Sequence, residues 1–326
     1  MSQYTHFTSE ERELSRVMKE KGYSIRKIAA ELKRSPSSVS REFKRNTNKD
    51  GSYAAYTADR RYLKRRKNCG KKPKLLDEEI KAYVVERLNL RWTPEEIAGR
   101  AKLEEDFSIS YNTIYRAVDS GLIPKAIKKF MRFKSKRNKK RRKDDKRGRI
   151  SDTVSISERP EEVETRLTFG HWEGDTVLGK RKTGCIGTLV ERASGFTLAF
   201  KLDNAKAENF NKAAVKAFSS LPKILKKTLT VDNGTEFMLH KELAKALDMD
   251  IYFCDPYSPW QRGSNENTNG LLRQFFPKNT SFKDVSDEQI SIALDLINNR
   301  PRKRFGFRSP AEVLNNFFTL YLLHLN

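Results

Sequence analysis

Apolar residues recur at helical spacing through the first third of the chain. Thr8 and Glu11 stand at the spacing of a capping box and open a helix through Lys21, which Gly22 stops. Ser24 caps a second helix with Ile25, Ile28, Ala29 and Leu32 on one face. Arg34-Ser35-Pro36 supplies a cap and a proline at the first helical position. The helix that follows, Ser37 to Lys44, turns Val39 and Phe43 inward and leaves Ser37, Ser38, Ser40, Arg41 and Lys44 outward. The pattern then recurs: Leu76 to Leu88, Thr93-Pro94-Glu95-Glu96 to about Leu103, and Tyr111 to Asp119 behind a Ser110 cap. In this third helix Ile114 and Val118 face in, while Tyr111, Asn112 and Arg116 face out.

From about residue 165 the period changes. His171 to Leu178, Cys185 to Val190 and Phe196 to Leu202 read as strands, the last two parted by the turn Arg192-Ala193-Ser194-Gly195. A helix carrying Phe210, Ala214, Ala217, Phe218 and Leu221 comes next. Thr228 to Asp232 is a fourth strand ended by Asn233-Gly234, a helix starts near Thr235, and Ile251 to Cys254 is a fifth strand. Three consecutive strands followed by alternating helix and strand is the order of a ribonuclease-H-like sheet. The expected fold is therefore multi-domain: all-α helix-turn-helix modules, then an α/β core on a mixed five-stranded sheet.

Charge sharpens this division. Lys and Arg number 66 against 42 Asp and Glu, a net charge of +24, and such a field favours polyanions. No apolar run approaches the roughly 20 residues of a membrane span, so nucleic acid is the expected partner and the cytosol the expected compartment. Two short helices joined by a tight turn, the second rich in Ser and Arg, then read as a helix-turn-helix rather than an ordinary three-helix bundle. The second such unit carries more acid, which strengthens the plain bundle alternative there. Basic runs Arg60, Arg61, Lys64, Arg65, Arg66, Lys67 and Lys134, Lys136, Arg137, Lys139, Lys140, Arg141, Arg142, Lys143 connect these parts. They are expected to be solvated when free and available to phosphates on binding. The resulting segmentation is 1–58, a first DNA-binding unit; 59–74, a basic linker; 75–124, a second helix-turn-helix-like unit; 125–160, a second linker; 161–316, the core; and 317–326, an apolar tail. Cys69, Cys185 and Cys254 lie far apart, as do the four histidines, so no zinc framework is available.

Three acids stand out by position. Asp175 lies inside the first strand, where a charge is costly unless paired or metal-bound. Asp232 ends the fourth strand, and Glu266 opens a helix after Trp260-Gln261-Arg262-Gly263-Ser264-Asn265. In a sheet of this order the first and fourth strands are neighbours, and a following helix can bring in a third carboxylate. Three hard oxygen ligands suit Mg²⁺ or Mn²⁺. Two such ions about 4 Å apart can clamp the attacking and leaving oxygens of an in-line phosphoryl transfer. Each acid also has a plain reading: Asp232 as a turn residue, Glu266 as a charge favoured at a helix N-terminus. Their joint order is the specific signal. Glu173 and Glu236 are expected to support or cap rather than ligate. Arg273, at seven residues past Glu266, shares its face and offers a cation for a DNA phosphate.

At these residues the chain resembles the DDE transposases and retroviral-type integrases. The 34 positions from Asp232 to Glu266 fit the second and third acids of that superfamily. Asp255-Pro256-Tyr257-Ser258-Pro259-Trp260-Gln261-Arg262-Gly263 resembles the loop before the third acid. Asn299-Arg300-Pro301-Arg302-Lys303 and Gly306-Phe307-Arg308-Ser309-Pro310-Ala311-Glu312 resemble the C-terminal signature of the core. His171-Trp172-Glu173-Gly174-Asp175 and the N-terminal helix-turn-helix are similar, more narrowly, to bacterial insertion-sequence transposases of the family numbered thirty. The resemblance implies binding of terminal inverted repeats in double-stranded DNA. It implies metal-assisted water attack that frees a 3′-OH, then attack of that 3′-OH on target DNA. It implies two metal ions per site, no covalent protein–DNA intermediate, an assembly of at least two copies, and a place in the bacterial cytosol at the nucleoid. The rival readings are a DNA-binding repressor with a dead core and a stand-alone nuclease. The three intact acids weigh against the first, and the two recognition units against the second.

Overall fold

A computed structural model describes residues 5–69, 73–130, 150–256 and 258–323. Its contacts divide the chain into two units, Met1–Leu76 and Asp77–Asn326.

The first unit holds α1 (Ser9–Glu20), α2 (Ile25–Glu31), α3 (Pro36–Asn46) and α4 (Ala55–Lys67). Its starts are written locally. Thr8 and Glu11 close a reciprocal capping box, Ser24 caps α2, and Ser35 caps α3 ahead of Pro36. Met18, Ile28, Ala29, Val39, Phe43, Tyr53 and Ala58 form the core. α4 corrects the expectation of a linker over 59–74, for it is helical through Lys67. The basic run looks solvated in sequence because its partners lie far along the chain. Ala58 is fully buried, and Asp59 accepts from Arg12 at 2.7 Å. Arg12, itself 1% exposed, also donates to Glu42 at 2.9 Å. Arg61 donates to the Asn46 carbonyl at 2.6 Å, and Arg65 to the Asn46 side chain at 2.8 Å.

The second unit begins with α5 (Glu78–Asn89), α6 (Pro94–Glu104) and α7 (Tyr111–Ser120), capped by Asp77, Thr93 and Ser110. It continues through β1 (Val154–Ser155), α8 (Glu162–Thr165), β2 (His171–Leu178), β3 (Cys185–Glu191), β4 (Thr197–Leu202) and α9 (Ala207–Ser219). β5 (Thr228–Val231), α10 (His240–Leu247), β6 (Asp250–Phe253), α11 (Gly263–Phe275), α12 (Asp287–Asn298) and α13 (Pro310–Leu323) complete it. The sheet order is β1-β6-β5-β2-β3-β4. β2, β3 and β4 form an antiparallel meander, and β5 joins β2 in parallel. The sheet has six strands where five are expected. The sixth, β1, falls in the stretch read as the second linker and pairs Val154 with Tyr252. Two residues are too few to show a period of two.

One sheet face buries Trp172, Leu189, Phe210, Phe218, Leu229 and Leu243, so α9 and α10 lie there. The other buries Val177, Ile186, Leu271, Leu272, Phe276 and Ile290 under α11 and α12. The apolar tail expected at 317–326 is part of α13 as far as Leu323, and Phe317 stacks on Phe169 with ring centroids 4.1 Å apart. The core's C-terminal signature holds α6. Arg100 reaches Glu312 at 2.7 Å and the Phe307 carbonyl at 3.1 Å. Arg300 donates to Glu96 and to Gln274, each at 2.9 Å. Gly99 is required at this contact, since a Cβ there would lie 2.4 Å from the Phe307 ring.

Candidate active site

The geometry of β2 determines which acids meet. Side chains alternate across a strand, so Glu173, Asp175 and Val177 share the face that α11 covers. β5 runs parallel beside β2 with His171 opposite Thr228 and Glu173 opposite Thr230. Continuing that register by two residues sets Asp232 level with Asp175.

A single cation joins this pair. Arg262 Nη2 lies 2.8 Å from Asp232 Oδ2, and its Nη1 lies 3.4 Å from Asp175 Oδ2. Nη1 also donates to the Gly174 carbonyl at 3.0 Å, which ties the guanidinium to β2. Neutral donors add to the cation. Asp175 accepts from the Thr176 amide and from Asn269 Nδ2, both at 2.8 Å. Asp232 accepts from the Gly234 amide at 2.9 Å. Burial pushes the Asp175 carboxyl above its ordinary value, with Arg262 opposing and the charge of Asp232 adding to the rise.

Glu266 sits in the first turn of α11, three residues before Asn269, and is exposed. The two aspartates are thus brought together on one guanidinium, with Glu266 on the helix that supplies Asn269. Among the described residues no three His, Cys, Asp or Glu side chains close into a metal-holding cluster.

Two further carboxylates brace the pair. Glu173 is fully buried, pairs with Arg192, and accepts from the Asn265 amide at 2.9 Å, which fixes the start of α11. Glu236 accepts from Thr176 Oγ1 at 2.6 Å. A Cβ on Gly234 would lie 2.4 Å from Glu236 Oε2 and 2.9 Å from Asp232 Oδ1, so a side chain here would push on both carboxylates. Thr188, opposite Asp175 on β3, lies 3.2 Å from Asn269 Oδ1 and orients that amide.

Arg262, Asn265 and Asn269 have no assigned role in the sequence reading. Of these, helical spacing points only to Asn269, three residues past Glu266 on α11. Arg273, the cation expected beside the acids, donates instead to the Leu178 carbonyl at 2.7 Å, three residues past Asp175.

The expected DNA-contact residues are largely on open surface. Ser37, Ser40, Arg41 and Lys44 of α3 are exposed, as are Tyr111, Asn112 and Arg116 of α7. Ser38 is half-buried, with its hydroxyl 2.9 Å from the capping hydroxyl of Ser35. Lys136, Arg137, Lys139, Lys140, Arg141 and Arg142 lie outside the described residues.

Known families match in three stretches. A helix-turn-helix domain matches residues 3–46, a homeodomain-like domain residues 38–118, and an integrase core domain residues 167–259. The last encloses Asp175 and Asp232. The chain is 38% identical over 322 residues to the transposase for insertion sequence element IS1086 of Cupriavidus metallidurans, covering 96% of this chain and 95% of that one. It is also 38% identical over 322 residues to transposase InsI for insertion sequence element IS30C of Escherichia coli, covering 95% and 83% respectively. The crystal structure of the catalytic core domain of BIV integrase aligns over 47% of this chain and 98% of that one, at 23% identity and a TM-score of 0.38. No helix among the described residues is long and apolar enough to cross a membrane.

Proposed function

The chain belongs to the IS30 family of insertion-sequence transposases, and we propose that Asp175, Asp232 and Glu266 carry its cleavage and joining of DNA strands as a divalent-metal site. Transposition is polynucleotidyl transfer, in which one phosphodiester is broken and another formed. One observation carries the assignment: the two aspartates converge on a cation, with Arg262 standing where a metal ion would be held. The donor set fits Mg²⁺ or Mn²⁺, being hard oxygens without His or Cys. Two bound ions would supply Lewis-acid stabilisation of the attacking and leaving oxygens.

The chain's own groups prepare that site. Asn269 and the Thr176 amide aim the Asp175 carboxylate. The Gly234 amide aims Asp232. Glu173 and Arg192 fix the start of α11, and with it the height of Glu266 above the sheet. With a metal held by the aspartates, the Arg262 guanidinium would be free to meet a DNA phosphate. The α3 face reads the element ends, target DNA is the second substrate, and joining two ends requires at least two copies of the chain. The working compartment is the bacterial cytosol, at the nucleoid.

Asp175→Asn, Asp232→Asn and Glu266→Gln each keep shape and remove a ligand charge. Each should abolish cleavage and joining of end-bearing DNA in Mg²⁺ while end binding stays near that of the unaltered protein. Strand transfer at the unaltered level in any one of them removes that residue from the site.

A further inference from the structure

The basic run at the end of the first unit is sorted by the helix into two sets. Arg61 and the more exposed Arg65 reach back to the Asn46 carbonyl, the Asn46 side chain and Asn48, and Arg66 meets His6. Arg60, Lys64 and Lys67 turn outward and make no hydrogen bond or ion pair among the described residues. Their spacing of four and then three residues puts them on one side of α4. Leu63 lies among them at 51% exposure, and Tyr56, four residues before Arg60, is 77% exposed. Arg60, Leu63, Lys64, Arg66 and Lys67 line a shallow groove of about 490 Å³.

This face is held in place relative to α3. Asn46 is the last residue of α3 and is fully buried. Its amide donates to Glu42 at 2.8 Å, and Glu42 pairs with Arg12, which in turn holds Asp59 of α4. The recognition helix and the outer face of α4 therefore move as one body. With the helix fixed in this way, meeting a polyanion orders only the three side chains and no backbone.

We infer that the outer face of α4 is a clamp for the sugar-phosphate backbone of double-stranded DNA, flanking the groove that α3 enters. Three cations along about 10 Å of helix match the axial length of about three successive phosphates on one strand. Tyr56 and Leu63 lay apolar surface against the sugars between them. The clamp supplies affinity and register, and α3 supplies the reading of sequence.

The test uses the full-length chain and two duplexes of equal length, one carrying an element end and one random, titrated across a salt series. Each neutralised phosphate contributes about 0.9 to the slope of log affinity against log salt, so Arg60→Gln/Lys64→Gln/Lys67→Gln should flatten the slope by about 2.7. Affinity should fall by the same factor on both duplexes. Arg41→Ala, on the reading face of α3, should instead lower the ratio of end to random binding. Because no strand cleavage is measured, the result is independent of the metal-site reading. The three side chains have no internal partners, so the triple variant should melt as the unaltered chain does. If it does not, the single variants should each flatten the slope by about 0.9. An unchanged slope would assign the face to a different occupant and overturn the clamp. A selective loss of end binding would overturn it too, by showing that α4 reads bases.

Discussion

Removing Arg262 should tighten metal binding and weaken strand transfer at the same time. Arg262 touches Asp232 at 2.8 Å and Asp175 at 3.4 Å, with its side chain only 12% exposed. On the proposed metal site, a divalent ion between the two carboxylates would compete with it. Charge-assisted hydrogen bonds are worth about 1.5–3 kcal/mol each, but Asp232 is 38% exposed and its contact is screened. A net displacement cost of about 1.5–3 kcal/mol is reasonable, which is about 10- to 150-fold in affinity. Arg262→Gln should therefore bind Mn²⁺ about 10- to 150-fold more tightly in calorimetric titrations without DNA. Loss of a positive charge anywhere nearby also favours a cation, so Arg273→Gln is the control. Its guanidinium sits on the Leu178 carbonyl, and its loss should shift metal affinity by no more than about threefold, the size of a screened exposed charge pair. Equal or weaker Mn²⁺ binding by Arg262→Gln, or an equal gain in the control, would refute the displacement argument.

Three further outcomes follow from the second unit. Gly99→Ala forces a methyl onto the Phe307 ring, where a Cβ would be 2.4 Å away. It should destabilise the unit by about 1–3 kcal/mol in urea denaturation, and a neutral result would mean the ring yields freely. Glu173→Gln removes the buried carboxylate from Arg192 and leaves it only the more exposed Glu164 carboxylate, at 3.3 Å. It should cost about 1–3 kcal/mol by the same measurement, and no measurable loss would show that Glu164 alone suffices. The Arg100 guanidinium, with the Ser309 amide, holds the Glu312 carboxyl down at about 2. A depressed folded-state value means stability is fully present above the unfolded value of 4.5 and is lost as pH falls towards about 2. Glu312→Gln should therefore show a shallower fall in melting temperature between these two values than the unaltered chain, and parallel curves would discount the contact.

The candidate acids stand out in the sequence by their joint order, for Asp232 alone fits a turn and Glu266 alone a helix start. A charge in the middle of β2 has no cheap structural reason, and Asp232 ends a strand that the element order places beside it. The parallel offset shared by β2 and β5 then follows from the fold class alone. Arg262 was hidden by conformation: Pro259–Arg262 is a short 3-10 turn ahead of α11, so its direction could not be taken from the helix that follows. The placement of Glu266 depends on the height of α11, which is set by the Glu173 contact across the sheet rather than by local sequence. α4 was misread for a related reason. Charge density reads as solvation, and the partners that order Arg61 and Asp59 are 15 and 47 residues away along the chain.

The C-terminal signature illustrates how a family pattern and a structural role come apart. Asn299 to Glu312 looks like a mark of the catalytic core, yet its side chains hold α6 and not the aspartates. Arg300 is 2% exposed and spends its donors on Glu96 and Gln274. Glu312 receives Arg100 and the Ser309 amide. Gln274 belongs to α11, the helix that carries Glu266 and Asn269. α6 and α11 are therefore joined through Arg300 without passing through the sheet. α7 packs on α6 in turn, so the exposed face of α7 and the helix that carries Glu266 belong to one contact network.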